Sequence, residues 1–281
     1  MGVPRSGKSA SVGGGYRPRP TRMPFTLAHP AAILPLFRVY PRWLLPLIAG
    51  SLAPDLLYFL PERWARHFPN SHTASGILTV APLSAFALLV LARAARHSVV
   101  GLLSGRHRVL VSRSLEGFGG RAIDWLLAIP CVAVGIALHL AWDSFTHSYG
   151  WPVQHAEFLR TEVTVGPLHG ELFRWLQWVS SAVGLVALGV AYRRAVGAIP
   201  SEDGETFPSG GRPVVLVAFA AVATLSGVAR VAFAGASAES VHSRTYLAST
   251  TAVGVFVVLF VLGGACSELM RRRARATHSV D

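Results

Sequence analysis

Residues 245–267 read TYLASTTAVGVFVVLFVLGGACS, a run with no Asp, Glu, Lys or Arg. A helix needs about 20 mainly apolar residues to cross the hydrocarbon core of a bilayer, and within lipid it must satisfy its own backbone groups. This run meets both conditions and predicts a transmembrane helix. Working outward from it, four more segments approach or meet the same length. Residues 73–92 and 125–142 carry no formally charged side chain, 175–192 runs from Trp175 to Tyr192, and 213–234 is interrupted only by Arg230.

The first apolar region, 43–60, is different. It contains Pro46, Pro54 and Asp55 and follows Pro30, Pro35 and Pro41. Proline removes a backbone donor and kinks or ends a helix. Residues 24–60 are therefore expected to form one kinked span or short re-entrant half-helices, which are tolerated at membrane depth where they line a protein cavity. The predicted fold is all-α, a polytopic transmembrane helical bundle of about six spans, the first kinked or re-entrant. Cys131 and Cys266 each sit inside an apolar run, without metal-site or disulfide spacing, and both are expected to pack in the core.

Composition agrees with a membrane solvent. Hydrophobic residues make up 52% and charged residues 14% of the 281 positions, against about 25% charged in soluble domains. The net charge of +12 invites a nucleic-acid reading. The basic residues instead sit at the ends of the apolar runs, as membrane topology requires. With six spans and both termini inside, the inner segments hold 20 basic residues and the outer segments 4. The expected location is the cell membrane, multi-pass, with both termini cytoplasmic, a transmembrane domain over 23–270 and a basic cytoplasmic tail over 271–281. Trp151, Trp175 and Trp178 fit an outer aromatic belt.

Residues 1–22 are rich in Gly, Ser, Pro and Arg and are expected to be a disordered basic tail. Gly2, Gly7, Lys8 and Ser9 match the spacing of a phosphate-binding loop. That loop works only between a strand and a helix, and nothing before it can form the strand, so no nucleotide partner is expected. A start at Met23 would remove the match. The tail has no apolar signal-peptide core, so insertion is expected to rely on the spans.

Ionisable groups are costly in a membrane and tend to mark function. His139, Asp143 and His147 are spaced i, i+4, i+8 and share one helix face at the end of the third predicted span. An imidazole and a carboxylate four residues apart can ligate one cation, or the carboxylate can orient the imidazole. Asp55, at the end of the first span, and His72, which opens the second, fall at the same predicted depth. Mixed His and carboxylate donors suit Zn, Mn or Fe. His29 sits only 14 residues before Trp43. A simple first span with a cytoplasmic N-terminus would leave it on the opposite face, whereas a re-entrant segment would bring it across. Against the metal stand a hydrogen-bonded core histidine and an interhelical polar network. His155 and His169 read as loop residues, and His67, His97, His107, His242 and His278 as surface or interfacial. Arg230 reads as snorkelling to headgroups, or as binding a lipid phosphate if it faces the bundle.

The motifs Met23-Pro-Phe-Thr26 with His29-Pro30, Ser51-Leu-Ala-Pro54-Asp55, His72-Thr73 and His139-Leu-Ala-Trp-Asp143-Ser-Phe-Thr-His147 resemble an uncharacterised family of bacterial membrane proteins, classed as a domain of unknown function. The likeness covers about residues 23–270 and is most specific over 135–152. That family is in turn distantly similar to membrane-bound metal-dependent hydrolases, which share an early His, a Pro-Asp pair, a His opening the next span and a His-x-x-x-Asp helix before a turn like Tyr149-Gly150-Trp151-Pro152. The resemblance implies that His29, Asp55, His72, His139 and Asp143 ligate a divalent metal, Zn or Mn. The hydrolase-like group often has a second acidic residue after the Pro-Asp pair; here Leu56-Leu57-Tyr58 follows Asp55. The expected function is metal-dependent hydrolysis of a phosphoester or lipid headgroup at the outer membrane interface, with membrane lipid as partner. The alternative is a non-enzymatic transporter or ion pathway with an intramembrane His/Asp relay.

Overall fold

The computed structural model describes residues 26–37, 43–60, 62–200, 212–234 and 241–278. Five helical stretches are long and apolar enough to cross a membrane: Ala74–His97, Ala122–His155, Leu172–Gly197, Val214–Phe233 and Leu247–Cys266. They match the five runs read from the sequence. Their outward faces carry Leu126, Val186, Val214, Leu225 and Phe233, all well exposed. Bare apolar side chains on this scale suit a lipid solvent.

Prolines govern the first apolar region. It forms two apolar pieces too short to span, Leu27–Leu36 and Leu44–Phe59. The first winds as a 3-10 helix, Thr26–Ile33, around Pro30. The second is helix α1, Leu44–Leu52, which tightens into a 3-10 turn, Ala53–Phe59, where Pro54 cannot supply a helical N–H. A broken first segment is therefore present, and it carries His29 into the interior. The tail 1–22, with its loop-like motif, lies outside the described residues.

Helix α2, Ala74–Leu78, leads into α3, Val80–Leu102, and α4, Gly105–Glu116, connects to α5, Ala122–Thr146. The long helices α6, Leu172–Gly197, α7, Arg212–Ala234, and α8, Val241–His278, complete the bundle. Asp124 opens α5 by accepting the Arg121 backbone N–H at 3.0 Å and the Arg121 guanidinium at 3.2 Å. The core joins small residues, among them Ala49, Ala53, Ala81, Ala85 and Ala128, with Leu89, Val132 and Ile136. Small side chains let helices approach closely where lipid gives no hydrophobic push.

Helices α1 and α5 approach each other closely. A Cβ on Gly135 would collide with the Leu47 carbonyl, and one on Gly50 with that of Val132. This backbone-to-backbone contact sets the spacing of the two segments that bear Asp55, His139 and Asp143. Gly135→Val is expected to cost about 1–3 kcal/mol by overpacking. A lowered unfolding midpoint of the detergent-solubilised protein, with weakened metal retention, checks this.

Two features depart from the sequence reading. A hairpin, β1 Glu162–Val165 with β2 Leu168–Glu171, stands in the loop before α6, pairing Val165 with Leu168 across Gly166, whose φ of 59° takes the left-handed region. Its Val163 carbonyl accepts Trp175 Nε1 at 3.2 Å. Cys131 is half-buried, but Cys266 is exposed on α8, correcting its assignment to the core. An outward thiol on an apolar helix costs little in lipid, so hydrophobicity alone did not distinguish inside from outside.

Candidate metal centre

Four chain segments deliver ionisable side chains to one buried point. Their side chains are 0–3% exposed for His29, Asp55, His139 and Asp143, and 6% for His72. His139 and Asp143 share a face of α5, as their spacing requires. At 1.5 Å per residue, they lie about 5–10 Å inside its C-terminal end at Thr146. The Pro54 turn supplies Asp55. His72 comes from the turn before α2, where its N–H donates to Asn70 Oδ1 at 3.0 Å. The neighbouring Ser71 hydroxyl donates to the Pro54 carbonyl and ties this turn to the Asp55 turn.

Asp55, His72, His139 and Asp143 each offer one donor atom, all within 4.8 Å of one another. His72 Nε2 stands 3.4 Å from Asp55 Oδ1 and 3.2 Å from Asp143 Oδ2. His139 Nε2 stands 3.6 Å and 3.2 Å from the same two oxygens. The two Nε2 atoms are 3.3 Å apart. A tetrahedron of donors about 2.0–2.1 Å from a central ion has edges of roughly 3.3–3.4 Å. The five distances given are close to those edges, and the four donors lie within 4.8 Å of one another.

Hydrogen bonding behind the rings points the same way. His139 Nδ1 donates to the Ser51 carbonyl at 2.7 Å, which leaves Nε2 with a lone pair. His72 Nδ1 faces the Ser71 hydroxyl oxygen at 3.4 Å, so its Nε2 is likewise turned to the cage. With both rings in that tautomer, the four converging atoms are all acceptors. Both Asp55 oxygens and Asp143 Oδ1 accept no hydrogen bond despite full burial. Buried charge without a partner is strongly unfavourable, and a cation resolves it. These residues fit a metal ion.

His29 approaches from the other side of the carboxylates. Its Nε2 lies 3.5 Å from Asp143 Oδ1 and 3.8 Å from Asp55 Oδ2, the oxygens turned away from the first cage. Its ring packs on His139 at 4.0 Å between centroids and edge-on to Trp142 at 5.8 Å. All five residues named from the sequence thus meet in one cluster.

Further groups surround them. His147, buried, donates from Nδ1 to the Asp143 carbonyl at 3.0 Å. Tyr149 donates its hydroxyl to Asp143 Oδ2 at 3.3 Å and stacks on His147 at 5.0 Å. The sequence reading noted Tyr149 only as part of a turn. Its signal was its place two residues after the His-x-x-x-Asp-x-x-x-His helix. Ser51 and Ser71 carry no comparable signal, because a backbone carbonyl and a lone hydroxyl have no pattern. His155 and His169 are exposed, but they lie in the short helix Trp151–His155 and in β2 and not in a loop.

A family model described as a domain of unknown function (DUF4184) matches residues 23–271. The chain belongs to this family. The match takes in every residue of the cluster. No curated protein and no solved structure matches the chain, so the reading of this family member rests on its own geometry.

Proposed function

We propose that this DUF4184 protein is a membrane-embedded, metal-dependent hydrolase that acts on a phosphoester at the membrane interface. The observation that carries the reading is the four-donor cage, in which three of the four buried carboxylate oxygens accept no hydrogen bond. Asp55, His72, His139 and Asp143 hold the ion, a divalent metal such as Zn or Mn, and His29 with the opposite carboxylate oxygens offers a second position. Such an ion lowers the pKa of bound water toward neutrality and polarises a phosphoryl oxygen.

The chain's residues do the rest. Ser51 and Ser71 fix the ring orientations of His139 and His72. Tyr149 donates to Asp143 Oδ2, the cage oxygen, and His147 stands beside Oδ1. The cluster lies near one end of the bundle, beside a loop that exposes Trp151, Phe158 and Leu168, side chains suited to the headgroup region. On the charge bias this end faces outward. The resemblance to membrane-bound metal-dependent hydrolases supports the reaction class, and the position near headgroups supports a lipid phosphoester.

The test is hydrolysis of a lipid phosphomonoester and a phosphodiester by the detergent-purified protein, loaded in turn with Zn and Mn. Phosphate or headgroup release that is abolished by a chelator and restored by the metal is the expected result. Tightly bound metal with no hydrolysis, together with ion-dependent flux in proteoliposomes, would replace the hydrolase with the ion-pathway reading.

A further inference from the structure

Next to the cluster lies a cavity of about 800 Å³, bounded by the Ala53–Phe59 turn, the following 65–71 segment and helices α7 and α8. Leu57, Phe59, Leu247 and Val258 give it apolar walls, and two exposed arginines, Arg66 and Arg230, are among the residues that line it. No acidic residue is among the described residues that line it. Tyr58 and Ser71 belong to both places: they line the cavity, while Tyr58 stacks on His72 at 6.0 Å and Ser71 directly precedes it.

We infer that this cavity binds a single membrane lipid through an anionic phosphate headgroup. A water-soluble ligand has no use for the apolar side walls contributed by α8, a helix long and apolar enough to cross a membrane. An uncharged lipid has no use for two arginines. Guanidinium groups bind phosphate oxygens in a planar fork, and basic pockets between transmembrane helices select lipid headgroups. The volume falls in the range of small-molecule pockets, about 300–1,000 Å³. That accommodates a headgroup with the start of its chains, the remainder of which lie in the bilayer.

The inference deepens the proposed function by naming the substrate as an anionic phospholipid, and it rests on that reading only for the lipid's fate. With the phosphate on Arg66 and Arg230, only the Tyr58–Ser71 wall separates the headgroup from His72. Binding itself needs no metal. It also gives a role to Arg230, the one charged residue between Val214 and Phe233, which is exposed and lines this cavity.

Native mass spectrometry of the full-length protein in detergent, titrated with dioleoyl phosphatidic acid, dioleoyl phosphatidylcholine and glycerol 3-phosphate, tests this. Phosphatidic acid is expected to bind at least about tenfold more tightly than either of the others, the worth of one charge-assisted contact. Arg66→Gln and Arg230→Gln each reduce that preference by about tenfold and leave the metal content unchanged. Arg160→Gln, on an exposed loop outside the cavity, leaves both unchanged. Equal affinity for the two lipids, or variants that bind phosphatidic acid like the parent, would overturn the inference. Glycerol 3-phosphate binding as tightly as the lipid would overturn the lipid as occupant. Lipid selectivity in a protein that takes up no metal would leave this inference standing and sink the hydrolase, and the converse result would do the reverse.

Discussion

His139→Ala and Asp143→Ala abolish stoichiometric metal binding, and His29→Ala does not. Both residues of the first pair supply an atom to the four-donor cage, with edges of 3.2–3.6 Å to their neighbours. Removing one donor opens the cage to three. His29 Nε2 faces the carboxylate oxygens turned away from the cage, so its loss leaves the four cage donors in place and removes the second position. Elemental analysis of variants that remain helical and monodisperse is the measurement. The parent is expected to hold at least one equivalent of Zn or Mn, and His29→Ala to retain one. Tyr149→Phe serves as a graded control. It removes a hydrogen bond to Asp143 Oδ2, not a ligand, and should weaken metal affinity by about 10–100-fold. Hydrolysis should fall about 10³-fold in the two cage variants, since a bound metal supplies several kcal/mol to the transition state and each 1.36 kcal/mol is tenfold. A parent with no metal after incubation with Zn²⁺ and Mn²⁺ would remove the foundation of this reading.

The second large effect is an inversion of stability. Metal-free, the parent keeps two fully buried carboxylates within a few ångströms, three of their oxygens without hydrogen bonds. Breaking the compensation of a buried charge costs about 3–5 kcal/mol. Chelation should therefore lower the unfolding midpoint of the parent sharply. Asp55→Asn removes one of the opposed charges, so its metal-free form should be more stable than the metal-free parent. The same variant should gain little from added metal, whereas the parent gains about 2.7 kcal/mol when the free metal stands at 100 times its Kd. Thermal unfolding in detergent, with and without chelator, reads all four states. If the cluster were only an interhelical polar network, Asp55→Asn would destabilise the protein equally in both conditions.

The two variants also separate roles that position in the sequence leaves mixed. His139, Asp143 and His147 share a helix face by spacing alone, yet they act differently here. His139 and Asp143 turn donor atoms into the cage, while His147 turns its Nδ1 to the Asp143 backbone. Periodicity assigns a face; what a side chain meets on that face depends on the opposite segment.

Chain-local physics made the long spans legible. A bilayer demands about 20 apolar residues in a self-satisfied helix, and five runs comply, with Arg230 as the one interruption. Local physics likewise gave the His139–Asp143 pairing and the break at Pro30, Pro35 and Pro54, because helical pitch and a missing N–H are properties of neighbouring residues. Tertiary structure alone decided the rest. His29 joins the cluster because a broken first segment folds inward, a path no window of sequence encodes. Ser51 orients His139 from 88 residues away because Gly50 and Gly135 let two backbones touch. Arg66 and Arg230 share a cavity only because the segment after the first apolar region packs beside the last two helices. Residue type and spacing determine which groups can do chemistry; long-range packing determines which of them meet.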